Sequence, residues 1–304
     1  MKQKALNRQI QGLLLYKYYL KLLCVEHIPV HPVKRLFNAG AVKRLGSVEE
    51  HTSVLDCEPE EESRGMTINL KLAACEWRDY KINFIDTPGY PDFVGEVKDA
   101  LTAADSALIV ISAPSGIEVE TEKAWRYAEE AELPRAFFIN KMDREHADFR
   151  QVIEELRVRF GDGVVPVQLP IGQEAAFQGV VDLLALHMKI VTHDEEDLIA
   201  DIPEYIQGDV EEARQKLIES VAEFNNELLE KYIEGTEITE VEVAAALIEG
   251  IQAGKIFPVF CGSAKQNIGV KKLMNGIVEY MPTPYFHVAI GMDPKDGDLK
   301  ERHT

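Results

Sequence analysis

Cysteine is scarce and scattered. The 304 residues hold four, Cys24, Cys57, Cys75 and Cys261, and none forms a CxxC pair. The eight histidines show no HxH or HExxH spacing. Neither a disulfide framework nor a zinc site is indicated, so a reducing cytoplasm is the expected compartment. No apolar run is long enough to span a bilayer. The nearest candidate, 13–25, is interrupted by Lys17 and Lys21 and has no small-residue cleavage site after it, which argues against a secretory signal. Positive charge is short as well: 33 Lys and Arg stand against 52 Asp and Glu, a net charge of -19. That balance argues against broad attraction to nucleic acid, with no DNA or membrane partner expected, and leaves room for a local RNA contact.

What remains is an ordinary globular composition, 46% hydrophobic and 28% charged, with room for one large domain or two modest ones. Charge is unevenly spread. Residues 1–35 carry +6, leaving -25 on the rest, and such a switch predicts a boundary near Lys34. From Ile68 onward the pattern is regular. Apolar, β-branched-rich runs at 68–77, 81–86, 106–113, 135–140 and 255–260 predict strands buried on both faces. Helical periodicity at 119–131, 148–160 and 270–280 alternates with them, which predicts a mainly parallel α/β sheet flanked by helices. Active groups in that architecture sit at the carboxyl ends of strands. Between Phe160 and Lys255 the pattern changes to short strand pieces and two acidic helices, 210–233, closed by Gly235, and 241–253. This predicts an α+β insertion over 160–255. The tail from Pro282 to Thr304, rich in Pro, Asp, Lys and Gly, reads as a linker.

Four short strings stand where strands begin or end. Asp86-Thr87-Pro88-Gly89 follows the run 81–86. Such a carboxylate can hold Mg²⁺ through water while Gly89 lets a backbone N–H approach a phosphate; the same residues also suit a plain turn. Asn140-Lys141-Met142-Asp143 follows RAFFIN. A carboxylate there can accept from the N1–H and the exocyclic amine of guanine, a donor pair that adenine lacks, with the stem of Lys141 over the base and Asn140 bracing neighbouring loops. Gly262-Ser263-Ala264 follows KIFPVF, where small residues allow the Ala264 N–H to meet a base carbonyl or simply make a turn. Arg64-Gly65-Met66-Thr67-Ile68 offers the Thr67 hydroxyl to Mg²⁺ and its N–H to a terminal phosphate. The acidic run Glu60-Glu61-Glu62 before it reads as a solvated mobile loop.

The ordered set RGMTI, DTPGY, NKMD, GSA resembles the translational GTPases. LFNAG (36–40), TSVLD (52–56), FVGEVKDAL (93–101), NKMDREHADF (140–149), VPVQLPIG (165–172) and GVVDLL (179–184) are similar to elongation factor G. The resemblance runs from about residue 36 to 300 and implies a P-loop-NTPase-like fold. It implies a GTP-binding (G) domain over 36–159 and 256–284, an inserted G′ subdomain over 160–255, and the start of a second domain at 285–304. It also implies GTP or GDP with Mg²⁺, the ribosome as partner, and a cytoplasmic, expectedly monomeric protein. Residue by residue, it implies Thr67 and Asp86 at the metal and Thr87, Pro88 and Gly89 at the γ-phosphate. Asn140, Lys141, Met142, Asp143, Ser263 and Ala264 fall at the base.

The chain departs from the family in three places. The phosphate-cradling string GxxxxGK[ST] occurs nowhere in it, and the corresponding region reads CVEHIPVHPVKR, with two prolines that remove N–H donors. Nucleotide affinity is therefore expected to be impaired, and residues 1–35 read as sequence unrelated to the family, replacing its first strand and phosphate loop. A membrane-surface helix, with Tyr16, Tyr18 and Tyr19 beside lysines, is the other reading of that segment. Tyr90 stands where the family commonly has a catalytic His, and the chain is expected to stop short of the domains that follow the first. A nonenzymatic remnant or interaction module is thus the alternative to a GTPase.

Overall fold

The computed structural model describes residues 18–26, 58–64, 67–89, 91–185, 187–191, 197–200, 202–282, 288–292 and 299–303. Strands β1 (Tyr18–Glu26), β2 (Lys71–Trp77), β3 (Tyr80–Thr87), β4 (Ser106–Ser112), β5 (Arg135–Asn140), β6 (Val164–Pro166) and, after an insertion, β11 (Phe257–Cys261) form one sheet. Its order is β2-β3-β1-β4-β5-β11-β6, and every pairing is parallel except the β2–β3 hairpin. The expected α/β architecture is therefore what the chain adopts. Every residue of SALIVIS, RAFFIN and FPVFC is buried, as strands covered on both faces require.

The first strand corrects the sequence reading. Residues 1–35, set apart by charge and read as unrelated to the family's first strand, contain β1, the sheet's third strand, lying between β3 and β4. Cys24 falls opposite Asp86, Val25 opposite Thr87, and Glu26 opposite Val110. Net charge does not decide strand formation. The run YYLKLLCV, aromatic and apolar, suits a strand paired on both sides despite the lysine within it.

Successive strand residues feed opposite faces. Leu108, Phe138 and Phe260 pack with Leu273, Met274 and Ile277 of α8 (Val270–Tyr280). Ile109, Phe137 and Val259 pack instead with Trp125 of α3 (Val119–Glu130) and Ile153 and Leu156 of α4 (Phe149–Phe160). Helix α2 (Val94–Ala103) covers Ile85 and Ala107 through Val97, Ala100 and Leu101. A short helix α1 (Pro59–Arg64) precedes β2.

The insertion begins later than the sequence suggested. Within 160–255, β6 belongs to the main sheet, because the apolar pair Val164–Val165 finds its partner strand in β11. A separate antiparallel sheet follows, order β10-β9-β8-β7, from β7 (Gln168–Ile171), β8 (Gly179–Asp182), β9 (His187–Val191) and β10 (Asp197–Ala200). The expected single helix 210–233 is two, α5 (Glu204–Ala222) and α6 (Asn226–Glu234). Asn225 accounts for the break: its side chain accepts the Leu228 N–H at 3.1 Å and starts a new helix. Gly235, at φ 67°, ends that second helix as expected. Helix α7 (Glu240–Gln252) leads back to β11. At the C-terminus, part of the stretch read as a linker pairs as an antiparallel hairpin, β12 (Val288–Met292) with β13 (Leu299–His303).

An ion pair ties the insertion to the main sheet. Lys272 Nζ on α8 lies 2.6 Å from Asp182 Oδ2 on β8, with both side chains largely buried. The other oxygen of Asp182 accepts the N–H groups of Leu184 and Ala185. Lys272→Met keeps the stem and removes only the charge. We expect it to lower unfolding stability by about 2 kcal/mol, because the carboxylate loses its charged donor. Urea denaturation, compared with the parent chain, measures it.

Candidate nucleotide site

The site forms at the carboxyl ends of the parallel strands. β3 ends in Asp86 and Thr87, exposed by only 6% and 2%, followed by buried Pro88 and half-buried Gly89. Tyr90 lies outside the described residues. Thr67, half-buried, leads into β2, whose first residue Lys71 pairs in register with Asp86. DTPG thus begins at the end of β3, and Thr67 and Ile68 lie just before β2, the other strand of the same hairpin. Among the described residues no group of three or more His, Cys, Asp or Glu forms a cation cluster.

The NKMD and GSA strings meet. Ser112, at the end of β4, stands in register with Asn140, and the Ala113 N–H donates to the Asn140 carbonyl at 2.8 Å. The chain then turns through Lys141 at φ 62°, a left-handed conformation uncommon outside glycine. Two bonds stitch this turn to the one after β11: the Met142 N–H donates to the Gly262 carbonyl, and the Gly262 N–H to that of Ile139. Met142 is wholly buried and pins the turn from below. Asn140, itself 1% exposed, accepts the Ala264 N–H on Oδ1 at 2.9 Å. That differs from the expectation that this N–H faces a base carbonyl, since a buried N–H requires a partner and Asn140 supplies it.

Asp143 follows immediately. Its Oδ1 is buried yet has no hydrogen-bond partner among the described residues. A buried carboxylate oxygen left unpaired costs free energy unless a donor from outside reaches it. Of the expected groups, guanine fits this feature directly, as two donors on one edge. Gly262 keeps the turn tight, because a Cβ there would meet the Ile268 carbonyl at 2.4 Å and the buried Phe138 ring at 3.0 Å. Ser263 bridges to Ile268 in both directions and accepts the Gln266 N–H on Oγ.

Two carboxylates near these strings escaped the sequence reading. Glu61, placed in a solvated loop by its acidic neighbours, is 0% exposed on α1. Its Oε1 accepts the N–H groups of Ile68 at 3.0 Å and Asn69 at 3.1 Å, and its Oε2 lies 3.0 Å from Lys71 Nζ. Burial opposes its charge, but those two N–H groups and Lys71 more than offset this and hold the carboxyl below its ordinary pKa. No signal in a run of three glutamates marks the middle one. Glu174, in the insertion, accepts the His146 N–H at 2.8 Å, three residues past Asp143. Both His146 and Glu174 have positive φ, 66° and 51°. Gly172, just before Glu174, was the available hint: a Cβ there would strike the Ala176 carbonyl at 2.0 Å.

A solved structure is similar over most of this chain. The crystal structure of ttk003000868 from Thermus thermophilus superimposes with a TM-score of 0.83 at 31% identity, covering 92% of this chain and 44% of that one. The present chain therefore spans less than half the length of that relative. A family profile of the elongation factor Tu GTP binding domain matches residues 34–283, more than half of the chain. The chain belongs to the elongation factor Tu GTP-binding domain family and is a translational GTPase domain of the elongation factor G and Tu type.

Proposed function

We propose that this chain is the guanine-nucleotide-binding domain of an elongation factor G-like translation factor. The observation that carries the reading is the buried, unpartnered Oδ1 of Asp143 beside the Asn140–Ala264 bond. In this reading Asp143 accepts the two donors of guanine's Watson–Crick edge, and adenine would leave the carboxylate unpaired. Lys141 lies along the base plane, Ser263 and Ala264 wall the base, and Met142 supports the turn from below. Thr67 and Asp86 would hold Mg²⁺, which when bound neutralises phosphate charge; one hydroxyl and one carboxylate suit a hard cation that keeps most of its waters. Thr87 and Pro88 aim the Gly89 backbone at the γ-phosphate. Tyr90 stands where the family's His orders the attacking water, so hydrolysis is slow in this reading. The ribosome is the proposed partner of the intact factor, acting in the cytoplasm with this domain as a monomer.

The phosphate half is weaker. The sequence holds no GxxxxGK[ST], the string whose N–H groups and lysine cradle phosphates in the family. This absence favours a second reading, a remnant that acts as an interaction module without nucleotide turnover. Isothermal titration of the purified chain with GDP and Mg²⁺ separates the two. Micromolar binding supports the nucleotide reading, and no heat at millimolar GDP overturns it in favour of the remnant.

A further inference from the structure

Thr67 is the residue proposed to reach the metal and terminal phosphate, yet its own segment makes no regular secondary structure. Residues 67–70 lie between α1 and β2 without helix or strand hydrogen bonding. Isolated backbone of this kind needs other partners for its N–H groups. Here carboxylates provide them. Glu61 of α1 accepts both N–H groups that follow Thr67, those of Ile68 and Asn69, and Glu96 of α2 accepts the next, that of Leu70, at 2.9 Å. The second oxygen of Glu61 pairs with Lys71, the residue in register with Asp86.

From this geometry, and resting on the nucleotide reading above, we propose that Glu61 is a positioning residue for the γ-phosphate response: it fixes the peptides after Thr67 and thereby sets where Thr67 stands relative to Asp86. One carboxylate thus joins α1, the Thr67 segment and the β2–β3 hairpin. Charge-assisted bonds to two successive N–H groups are strong and directional, so they define one path for the chain. A buried glutamate with fewer partners would be a cost to the fold, and these three partners offset it.

The test uses the full chain and two substitutions, Glu61→Gln and Glu61→Ala, with two readouts. Amide hydrogen exchange without nucleotide reports the anchor itself. Ile68 and Asn69 should be protected in the parent, and in Glu61→Ala they should exchange about tenfold faster or more, the size of one lost charge-assisted bond. Amides of Phe137 and Ile139 in β5 should be unchanged, which shows that the variant is folded. Affinity for GDP and for a nonhydrolysable GTP analogue, both with Mg²⁺, reports positioning. GDP affinity should stay within about twofold, while the analogue should lose about tenfold, because only the terminal phosphate meets Thr67. Glu61→Gln keeps one acceptor oxygen and should fall between. Unchanged exchange at Ile68 and Asn69, or an equal loss for both nucleotides, overturns the proposal. A parent chain that binds neither nucleotide overturns the nucleotide reading and, with it, the phosphate role of Glu61. The exchange data then decide whether the anchor exists.

Discussion

Asp143→Asn is expected to remove guanine-nucleotide binding from this chain. The carboxylate offers acceptors only, and the edge it faces in the proposed complex offers two donors. An amide in the same place accepts one bond and turns an N–H₂ toward the second donor, so one favourable contact becomes a donor–donor clash. Groups left mispaired in a buried site cost on the order of 3 kcal/mol, about a hundredfold or more in affinity. In the parent, Oδ1 already lacks a partner among the described residues, so the substitution should leave the fold intact. Calorimetry with GDP measures the loss, and an unchanged melting temperature shows that the protein is otherwise whole. Equal GDP affinity in parent and variant would place base recognition elsewhere.

The largest effect on stability is expected from Phe138→Ala. Phe138 is 1% exposed in the centre of β5 and belongs to the core shared with Phe84, Phe260 and α8. Truncation removes the ring and leaves a cavity that close-packed neighbours fill only partly, a loss of about 3–5 kcal/mol. The same ring lies against Gly262, so the turn that carries Ser263 and Ala264 loses its floor. Urea unfolding should show the stability loss. Nucleotide affinity, measured where the variant is still folded, should fall as well. A loss under about 1 kcal/mol would mean that the core collapses around the gap.

The two substitutions fall where the sequence was easiest to read. RAFFIN and KIFPVF are continuous apolar runs, and fully buried parallel strands leave that signature. The polar strings after them, NKMD and GSA, were legible because chemistry at strand ends interrupts an otherwise apolar pattern. Three features were not legible, each for its own reason. Strand β1 carries a lysine and sits in a basic stretch, so net charge hid a pattern that pairing on both sides makes stable. The break at Asn225 depends on one side chain capping the next helix, within a sequence that is helical by periodicity on either side. Glu61 is buried by the three-dimensional path of residues 67–71, which a count of glutamates does not contain. Residues 27–57, including LFNAG and TSVLD, and also Tyr90, lie outside the described residues, so their expected roles rest on the resemblance.

The seam between the two sheets has a mechanical consequence. The chain leaves β6 and enters β7 through Val167 alone, whose N–H donates to Val259 of β11 and whose carbonyl accepts from Leu183. It returns through Lys255 and Ile256, and the Phe257 N–H then donates to Gly163 at 2.7 Å. The outgoing chain is therefore held beside Val259 and the incoming chain where Phe257 meets Gly163, at the two ends of the β6–β11 pairing, on the strand that leads into Gly262 and Ala264. A single residue spans only about 3.5 Å, so the outgoing link has almost no slack. A load applied to the far helices of the insertion has little room to be absorbed there as sliding; it passes to β11, the strand that runs into the turn proposed to wall the base.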